Sequence, residues 1–295
     1  MMRAIISRFA PAPTGFLHLG HIVNAATVWR ETRARGGRIL LRIEDHDRQR
    51  SRPEFEAAIL EDLAWLGFAA DEPPVRQSER GLVYACACSR ADIAEAGPKG
   101  PALHAEIAAR RNRRPDPKGP ALHSEIEAAN CRPGPFGPGV GDAELRYPGT
   151  CRDRGLPEKP GFGVRVRLEP TVEHFVDLRH GAQAQRPSEQ CGDLLIRDRE
   201  GNWTYQFAAT VDDYVQGVTL VIRGDDLLVS AGRQIQLARM LGRHEPPEFL
   251  HHPLIMKSSD QKLSKSDRDT GIRELRAAGW TSTQVIERAL SMVSR

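Results

Sequence analysis

An apolar run, Ala4-Ile-Ile-Ser-Arg-Phe9, reads as a buried first strand. A Pro/Gly loop follows. From His18 the apolar positions Ile22, Ala25, Ala26 and Trp29 recur at the spacing of one helical face until Gly36-Gly37. Arg38-Ile-Leu-Leu-Arg-Ile43 is a second strand, and Pro53-Glu54 opens a second helix that runs through Trp65, with Gly67 as its stop. Strand, helix, strand, helix at these intervals predicts a parallel sheet with right-handed crossovers, an α/β chain.

Strand patterns return after Phe162. Gly163-Val-Arg-Val-Arg-Leu168 alternates as a half-buried strand should. Asp193-Leu-Leu-Ile-Arg197, the turn Arg199-Glu-Gly-Asn202 and Trp203-Thr-Tyr-Gln-Phe207 predict a hairpin. Val218-Thr-Leu-Val-Ile-Arg223 is a buried strand, and Gly224-Asp-Asp-Leu-Leu leads into a helix through Met240. Residues 271–295 suffice for a helix or two. Between the two halves, residues 97–161 are crowded with Pro, Gly and Arg. There Pro98-Lys-Gly-Pro-Ala-Leu-His-Ala-Glu-Ile107 returns almost unchanged as Pro117-Lys-Gly-Pro-Ala-Leu-His-Ser-Glu-Ile126. Two copies are too few for a solenoid, so a local duplication in a surface insertion is expected, with His104 and His123 as solvated loop residues.

Composition adds exclusions more than assignments. Net charge is +3, which does not announce nucleic acid, although Arg is locally dense enough for a basic face. No charged start precedes a long apolar run, and no apolar stretch approaches the ~18 residues of a membrane span. Five cysteines, two of them as Cys86-Ala-Cys88, argue against a disulfide framework and for a reduced, cytoplasmic compartment with a candidate metal site.

Chemistry concentrates at the two ends of the chain. Arg8-Phe-Ala-Pro-Ala-Pro-Thr-Gly15 leaves the first strand and runs into His18-Leu-Gly-His21. A loop of this kind brings backbone close to a ligand at the C-terminal end of a parallel strand. The helix N-terminus offers N–H groups and a positive dipole end to phosphates. Gly20 leaves room for a flat base against the backbone. His18 and His21 share a helical face and are placed to donate to phosphate oxygens, with capping or core packing as the alternative. At the far end lies Lys257-Ser-Ser-Asp-Gln-Lys-Leu-Ser-Lys-Ser266, in which Lys262 and Lys265 would offset charge on a transferring phosphoryl group; a solvated lysine loop is the alternative. A P-loop signature is lacking.

These segments, in this order, resemble the two nucleotide-binding signatures of class I aminoacyl-tRNA synthetases, a resemblance that implies their α/β fold, a Rossmann-like, doubly wound parallel sheet. Arg42-Ile-Glu-Asp45, Gln77-Ser-Glu-Arg80 and Ile222-Arg-Gly-Asp-Asp-Leu227 narrow the resemblance to the glutamyl-type catalytic domain. The short stretch after Ser266 makes it most similar to the truncated glutamyl-Q tRNA(Asp) synthetase family, without an anticodon-binding domain. The resemblance implies ATP-dependent activation of L-glutamate without tRNA, then transfer to queuosine in the anticodon of tRNA(Asp). A short glutamyl-tRNA synthetase charging the tRNA 3′ end and a noncatalytic tRNA- or nucleotide-binding paralogue are the other readings.

By the same resemblance, Arg8, Phe9, Ala10, Pro11 and Ala12 hold the amino acid, Glu44 takes its ammonium group, and Tyr205 and Arg223 complete the pocket. His18, Gly20, His21, Lys262 and Lys265 serve ATP and its Mg²⁺, with His18, His21 and Lys265 catalytic. A buried Glu44–Arg223 pair and a strand position for Tyr205 are the structural alternatives. Cys86, Cys88, Tyr147 and Cys151 match the family's four zinc ligands, a closed structural site. Free buried cysteines are the alternative, Cys131 competes with Tyr147, and Cys191 reads as core. The implied domains are 1–80, the first half of the catalytic domain; 81–161, an inserted zinc-binding, acceptor-type subdomain carrying the duplication; and 162–295, the second half. A monomer is expected. Two departures fall in the insertion: a helix usual after Gln77–Arg80 is missing, and the duplication lengthens the stretch between ligand pairs. Ala12 also replaces a more usual serine.

Lys265→Ala is predicted to slow glutamate-dependent ATP–pyrophosphate exchange by roughly 10²–10³, the scale for losing one preorganised charge donor. Unchanged exchange would refute the role of Lys265.

Overall fold

The computed structural model describes residues 4–47, 49–77, 146–156, 159–254 and 271–292. All of them lie in one of the chain's two compact units, 1–81 together with 141–295. Cys86, Cys88, Cys131, the duplicated segment, the Gln77–Arg80 junction beyond Gln77, and both Lys262 and Lys265 lie outside the described residues.

Three parallel strands form one sheet: β1 (Ile6–Phe9), β2 (Arg38–Ile43) and β3 (Val75–Arg76), in that order. Helix α1 (Leu19–Ala34) connects β1 to β2, and α2 (Pro53–Leu66) connects β2 to β3. α2 begins with Pro53 in its first turn, where a missing N–H costs nothing, and Glu54 and Glu56 there oppose the positive dipole end. It stops at Gly67, whose φ of +80° allows the backbone N–H to close on Ala64 and Leu63.

Three further strands follow the insertion: β4 (Val164–Val166), β5 (Glu173–Asp177) and β6 (Gly181–Gln185). A short α3 (Pro187–Gln190) precedes β7 (Leu194–Arg197), which pairs antiparallel with β4 as a separate ribbon. Then come α4 (Tyr205–Val215), β8 (Leu220–Gly224), a 3-10 segment Asp225–Ser230, α5 (Ala231–Met240) and β9 (Glu248–His252). The chain ends in α6 (Ile272–Ala277) and α7 (Ser282–Ser291). β8, β9 and β5 are parallel neighbours, with β6 antiparallel at the edge.

The two sheets meet along β1 and β8. The Ile6 amide donates to Thr219 Oγ1, and the Thr219 amide donates to the Ile6 carbonyl, each at 2.8 Å. From this seam the chain winds outward to β2 on one side and to β9 on the other. That reversal is a topological switch point, where open α/β sheets bind ligands. Strand alternation sends Leu220 and Ile222 into the core shared with α1, α2 and α7, while Val221 joins Phe175, Phe249, Ala231 and Ile235 on the opposite face. Helices thus cover both faces, as a doubly wound sheet requires.

The expected Asp193–Phe207 hairpin is replaced. β7 and the turn are present, but only Trp203 bridges back to Arg197 and α4 begins at Tyr205. The alternation in Trp203–Phe207 imitates a strand, yet the helix buries Ala209, Thr210, Asp212 and Asp213, a largely polar set that leaves no apolar periodicity. The Val218 strand starts two residues later than expected, and β5, β6 and β9 were not anticipated.

Those buried acids anchor α4 to the sheet. Asp213 Oδ1 accepts from Arg8 Nε at 2.9 Å and from Arg42 Nη1 at 2.7 Å. Arg42 has no exposed side-chain surface and also donates to Glu44 Oε1 at 3.0 Å and to Gln216 Oε1 at 3.0 Å. Burial by itself would raise the Asp213 carboxyl, but Arg8 and Arg42 outweigh it and hold the pKa at about 2. A depressed folded-state pKa stabilises above the unfolded value of about 4 and ceases to do so as pH falls through about 2. Asp213→Asn is expected to cost about 3–5 kcal/mol at neutral pH, because two buried guanidinium groups lose their shared anion. The variant's acid limb should also be flatter between about pH 4 and pH 2. Denaturant titrations across that range test both, and an unaltered acid limb would refute the assignment.

Candidate active site

A cavity of about 440 Å³ opens at the switch point, over the C-terminal ends of β1 and β8. Arg8 and Ala10 reach it from β1 and the loop beyond, Glu44 from the end of β2, and Arg223 from β8. His18, Gly20 and His21 enter from the start of α1, and Tyr205 from the start of α4. These eight residues were expected together from sequence, and they line one space of ordinary ligand-pocket size. Phe9 instead points into the core, edge-on to Trp29, and Pro11 and Ala12 are not among the lining residues. The Pro11 carbonyl accepts the Glu44 amide at 3.0 Å, so the loop backbone aligns Glu44 instead of meeting the cavity directly.

Two buried arginines, Arg8 and Arg223, line the cavity, and a third, Arg42, is buried against its Glu44. Arg8 and Arg42 share Asp213, and Arg42 also pairs with Glu44, so the structural alternative of a Glu44–Arg223 pair gives way to Glu44–Arg42. Arg223 donates from Nε to His251 Nε2 at 2.9 Å, from Nη1 to Gln234 Oε1 at 2.6 Å and from Nη2 to the Leu227 carbonyl at 3.2 Å. The Tyr205 side chain also hydrogen-bonds Arg223; burial pushes its phenol up and Arg223 pulls it back, so it stays a neutral hydroxyl.

The two histidines cap their own helix. Gly20 N–H donates to His18 Nδ1 at 3.1 Å, and His18 N–H donates to His21 Nδ1 at 3.1 Å, a reciprocal capping box. The rings lie 3.9 Å apart between centroids. A backbone amide only donates, so both Nδ1 atoms are acceptors and each neutral ring carries its proton at Nε2. Capping therefore uses the Nδ1 edge of each ring. The first-turn amides are partly committed, with the His21 amide on the His18 carbonyl at 2.8 Å. Gly20 makes room for His18 itself, since a Cβ there would stand 2.9 Å from the imidazole.

Sequence reasoning passed over Asp213, Asp212, Gln234, Asp177 and the pair His251–His252, and gave Gln77 no role beyond its motif. Asp212 accepts from Gln77, whose Oε1 lies 2.7 Å from His46 Nδ1. Asn24, Asp226 and His252 also line the cavity. The adjacent acids Asp212-Asp213 and adjacent histidines His251-His252 were visible signals, but their elements were misread or missed.

Half of the zinc set is described. Tyr147 Oη accepts the Cys151 amide at 2.8 Å, and burial together with Cys151 raises the phenol's pKa. Arg165 stacks over the Tyr147 ring at 4.0 Å. Two donors of the required kinds thus sit side by side. Among the described residues no three His, Cys, Asp or Glu gather as a metal cluster; Cys86 and Cys88 lie outside them. Cys191 is buried with Leu168, Leu194 and Leu237, as core.

Residues 4–90 and 156–291 match the family of class I tRNA synthetases (E and Q), catalytic domain. The chain is 35% identical to the glutamyl-Q tRNA(Asp) synthetase of Rhodobacter capsulatus, over 93% of this chain and 96% of that one. It is 37% identical to the Burkholderia cenocepacia protein of the same name, over 92% and 85%. The crystal structure of a glutamate tRNA ligase from Elizabethkingia meningosepticum, in complex with its amino acid, superposes with a TM-score of 0.60 at 27% identity, over 90% of this chain. This chain spans about half of that ligase, 53% of its length. By sequence the chain belongs to the glutamyl-Q tRNA(Asp) synthetase family, and its fold is that of the class I catalytic domain of the glutamate and glutamine type.

Proposed function

We propose that the chain activates L-glutamate with ATP, without tRNA, and transfers it to queuosine in the anticodon of tRNA(Asp). The observation that carries this reading is a single cavity at the switch point with two chemically distinct ends. One end gathers Arg8, Glu44, Tyr205 and Arg223, suited to an amino acid with two carboxylates and an ammonium group. The other gathers His18, Gly20 and His21, suited to phosphate. The relatives' name specifies the same acyl group and acceptor.

The reaction needs no general base, because the glutamate α-carboxylate is already ionised near neutral pH. Its oxygen attacks the α-phosphorus, the new C–O–P bond forms, and the bond to the β-phosphate oxygen breaks with departure of pyrophosphate. The chain's part is positioning and charge neutralisation. His18 and His21 donate from Nε2 to phosphate oxygens, a polarity that their capping hydrogen bonds preset. Lys262 and Lys265 would offset charge on the triphosphate, and Mg²⁺ would accompany ATP. A hydroxyl of the queuosine diol then attacks the mixed anhydride carbonyl and AMP leaves.

Zinc, if bound, closes a structural site held by Cys86, Cys88, Tyr147 and Cys151, and takes no part in acyl transfer. Gly192 supports the described half. Its φ is +68° and a Cβ would stand 2.1 Å from the Tyr147 carbonyl oxygen, so only glycine allows this approach.

Arg223→Ala should raise the KM for glutamate by roughly 10²-fold, the scale of hydrogen bonds to a charged group, while the KM for ATP changes little. Equal effects on both substrates in pyrophosphate exchange would place Arg223 elsewhere. Radiolabelled glutamate should enter tRNA(Asp) that carries queuosine and not the queuosine-free transcript. Labelling of a queuosine-free tRNA(Glu) would instead identify 3′-end charging. Exchange should proceed without tRNA, and its absence would sink the tRNA-independent reading.

A further inference from the structure

Of the three arginines around the amino-acid end, two face carboxylates and the third does not. Arg8 and Arg42 are paired with Asp213 and Glu44. Arg223 is equally buried, yet its side-chain contacts are an imidazole nitrogen, a carboxamide oxygen, a backbone carbonyl and a phenol. An arginine can only donate, so its partners must present lone pairs. That forces the amide of Gln234 to turn its oxygen to Arg223, leaving its nitrogen to donate to Gln206 Oε1 at 2.8 Å. It also forces the proton of His251 onto Nδ1, which donates to Asp177 Oδ2 at 2.6 Å.

The nearest acid along this chain of contacts, Asp177, is occupied elsewhere. Its Oδ1 accepts the amides of Arg179 and His180, and its Oδ2 accepts the amide and ring of His251. Burial and the neighbouring Arg223 hold the His251 pKa down at about 4, so the ring between the two charges is neutral at physiological pH. Arg223 is thus fixed in orientation by neutral acceptors without losing its charge. A buried cation in this state is costly until an anion joins it.

We infer that Gln234 and His251 are positioning residues that keep Arg223 oriented with no carboxylate bonded to it, and that this sets the choice of an acidic over an amide side chain in the amino-acid substrate. The inference rests on the glutamate reading of the cavity and adds its basis of selection. Glutamate supplies the missing negative charge. Glutamine supplies only a dipole and leaves the buried cation unmatched. A carboxylate at position 234 would supply the anion from within and remove the preference. Gln206 can accommodate that change by turning its amide over.

The test is ATP–pyrophosphate exchange on the full chain, with glutamate and glutamine as competing acids. Gln234→Glu should raise the KM for glutamate by roughly 10–100-fold, the scale of one charge-assisted interaction, leave the KM for ATP within about twofold, and spare whatever glutamine activity exists. The ratio of kcat/KM values, glutamate over glutamine, should fall by the same factor. Gln234→Asp carries the same charge one bond shorter and provides a second trial if thermal melting shows the first variant unfolded. Gln234→Met removes the acceptor without adding charge and should keep the preference for glutamate even where its KM rises. An undiminished ratio in the folded acidic variant would overturn the inference, as would a ratio lost equally in the Met variant. If the unaltered chain gives no exchange with glutamate, the reading of the cavity falls first and the inference with it.

Discussion

A single carboxylate under the sheet holds the site together. Asp213 projects from α4 and accepts from both Arg8 on β1 and Arg42 on β2. Arg42 in turn fixes Glu44, and Arg8 reaches across the seam to the Ile222 carbonyl of β8 at 3.3 Å. One acid therefore links the helix that carries Tyr205 to three strands whose ends form the cavity wall. Desolvating such a cluster is expensive, and it is tolerable only because every charge in it meets an opposite one at hydrogen-bond distance. The result is geometric: cavity-lining groups on four separate elements are held to one arrangement.

The cavity separates into two ends by how its charges are treated. Near the amino-acid end, cations and anions are mostly paired within the protein, and the exception, Arg223, is surrounded by groups that hold it without neutralising it. Near the phosphate end, the helix start uses imidazoles as its own caps. Each ring gives its Nδ1 lone pair to a backbone amide, which settles where the remaining proton sits. In the proposed reading, helix capping and phosphate recognition become one arrangement, and a residue at either position would have to satisfy both requirements.

Local chemistry explains which parts were legible from the amino-acid order. β1, α1, β2 and α2 carry regular apolar spacing and strong stops, among them Gly67 with its left-handed cap, so their existence followed directly. Arg8, Ala10, His18, Gly20, His21, Glu44, Tyr205 and Arg223 were named because they belong to short motifs, and all eight line the same space. The second half was less legible. α4 buries aspartates instead of leucines, and β9 ends in two histidines, so neither shows the alternation or helical stripe from which elements are inferred.

What the order of residues determined by itself was the succession of elements in the first half and the identity of eight groups that line the cavity, because both depend on neighbours within a few positions. What only the tertiary structure decided was pairing. Arg8 and Asp213 are 205 positions apart, Arg42 and Asp213 are 171 apart, and His251 and Asp177 are 74 apart. No local rule selects Asp213 over Arg223's neighbourhood as the partner of Arg8, or leaves Arg223 among neutral acceptors. Those choices arise when β1 and β8 are laid side by side and the seam between them dictates which buried charges can reach one another.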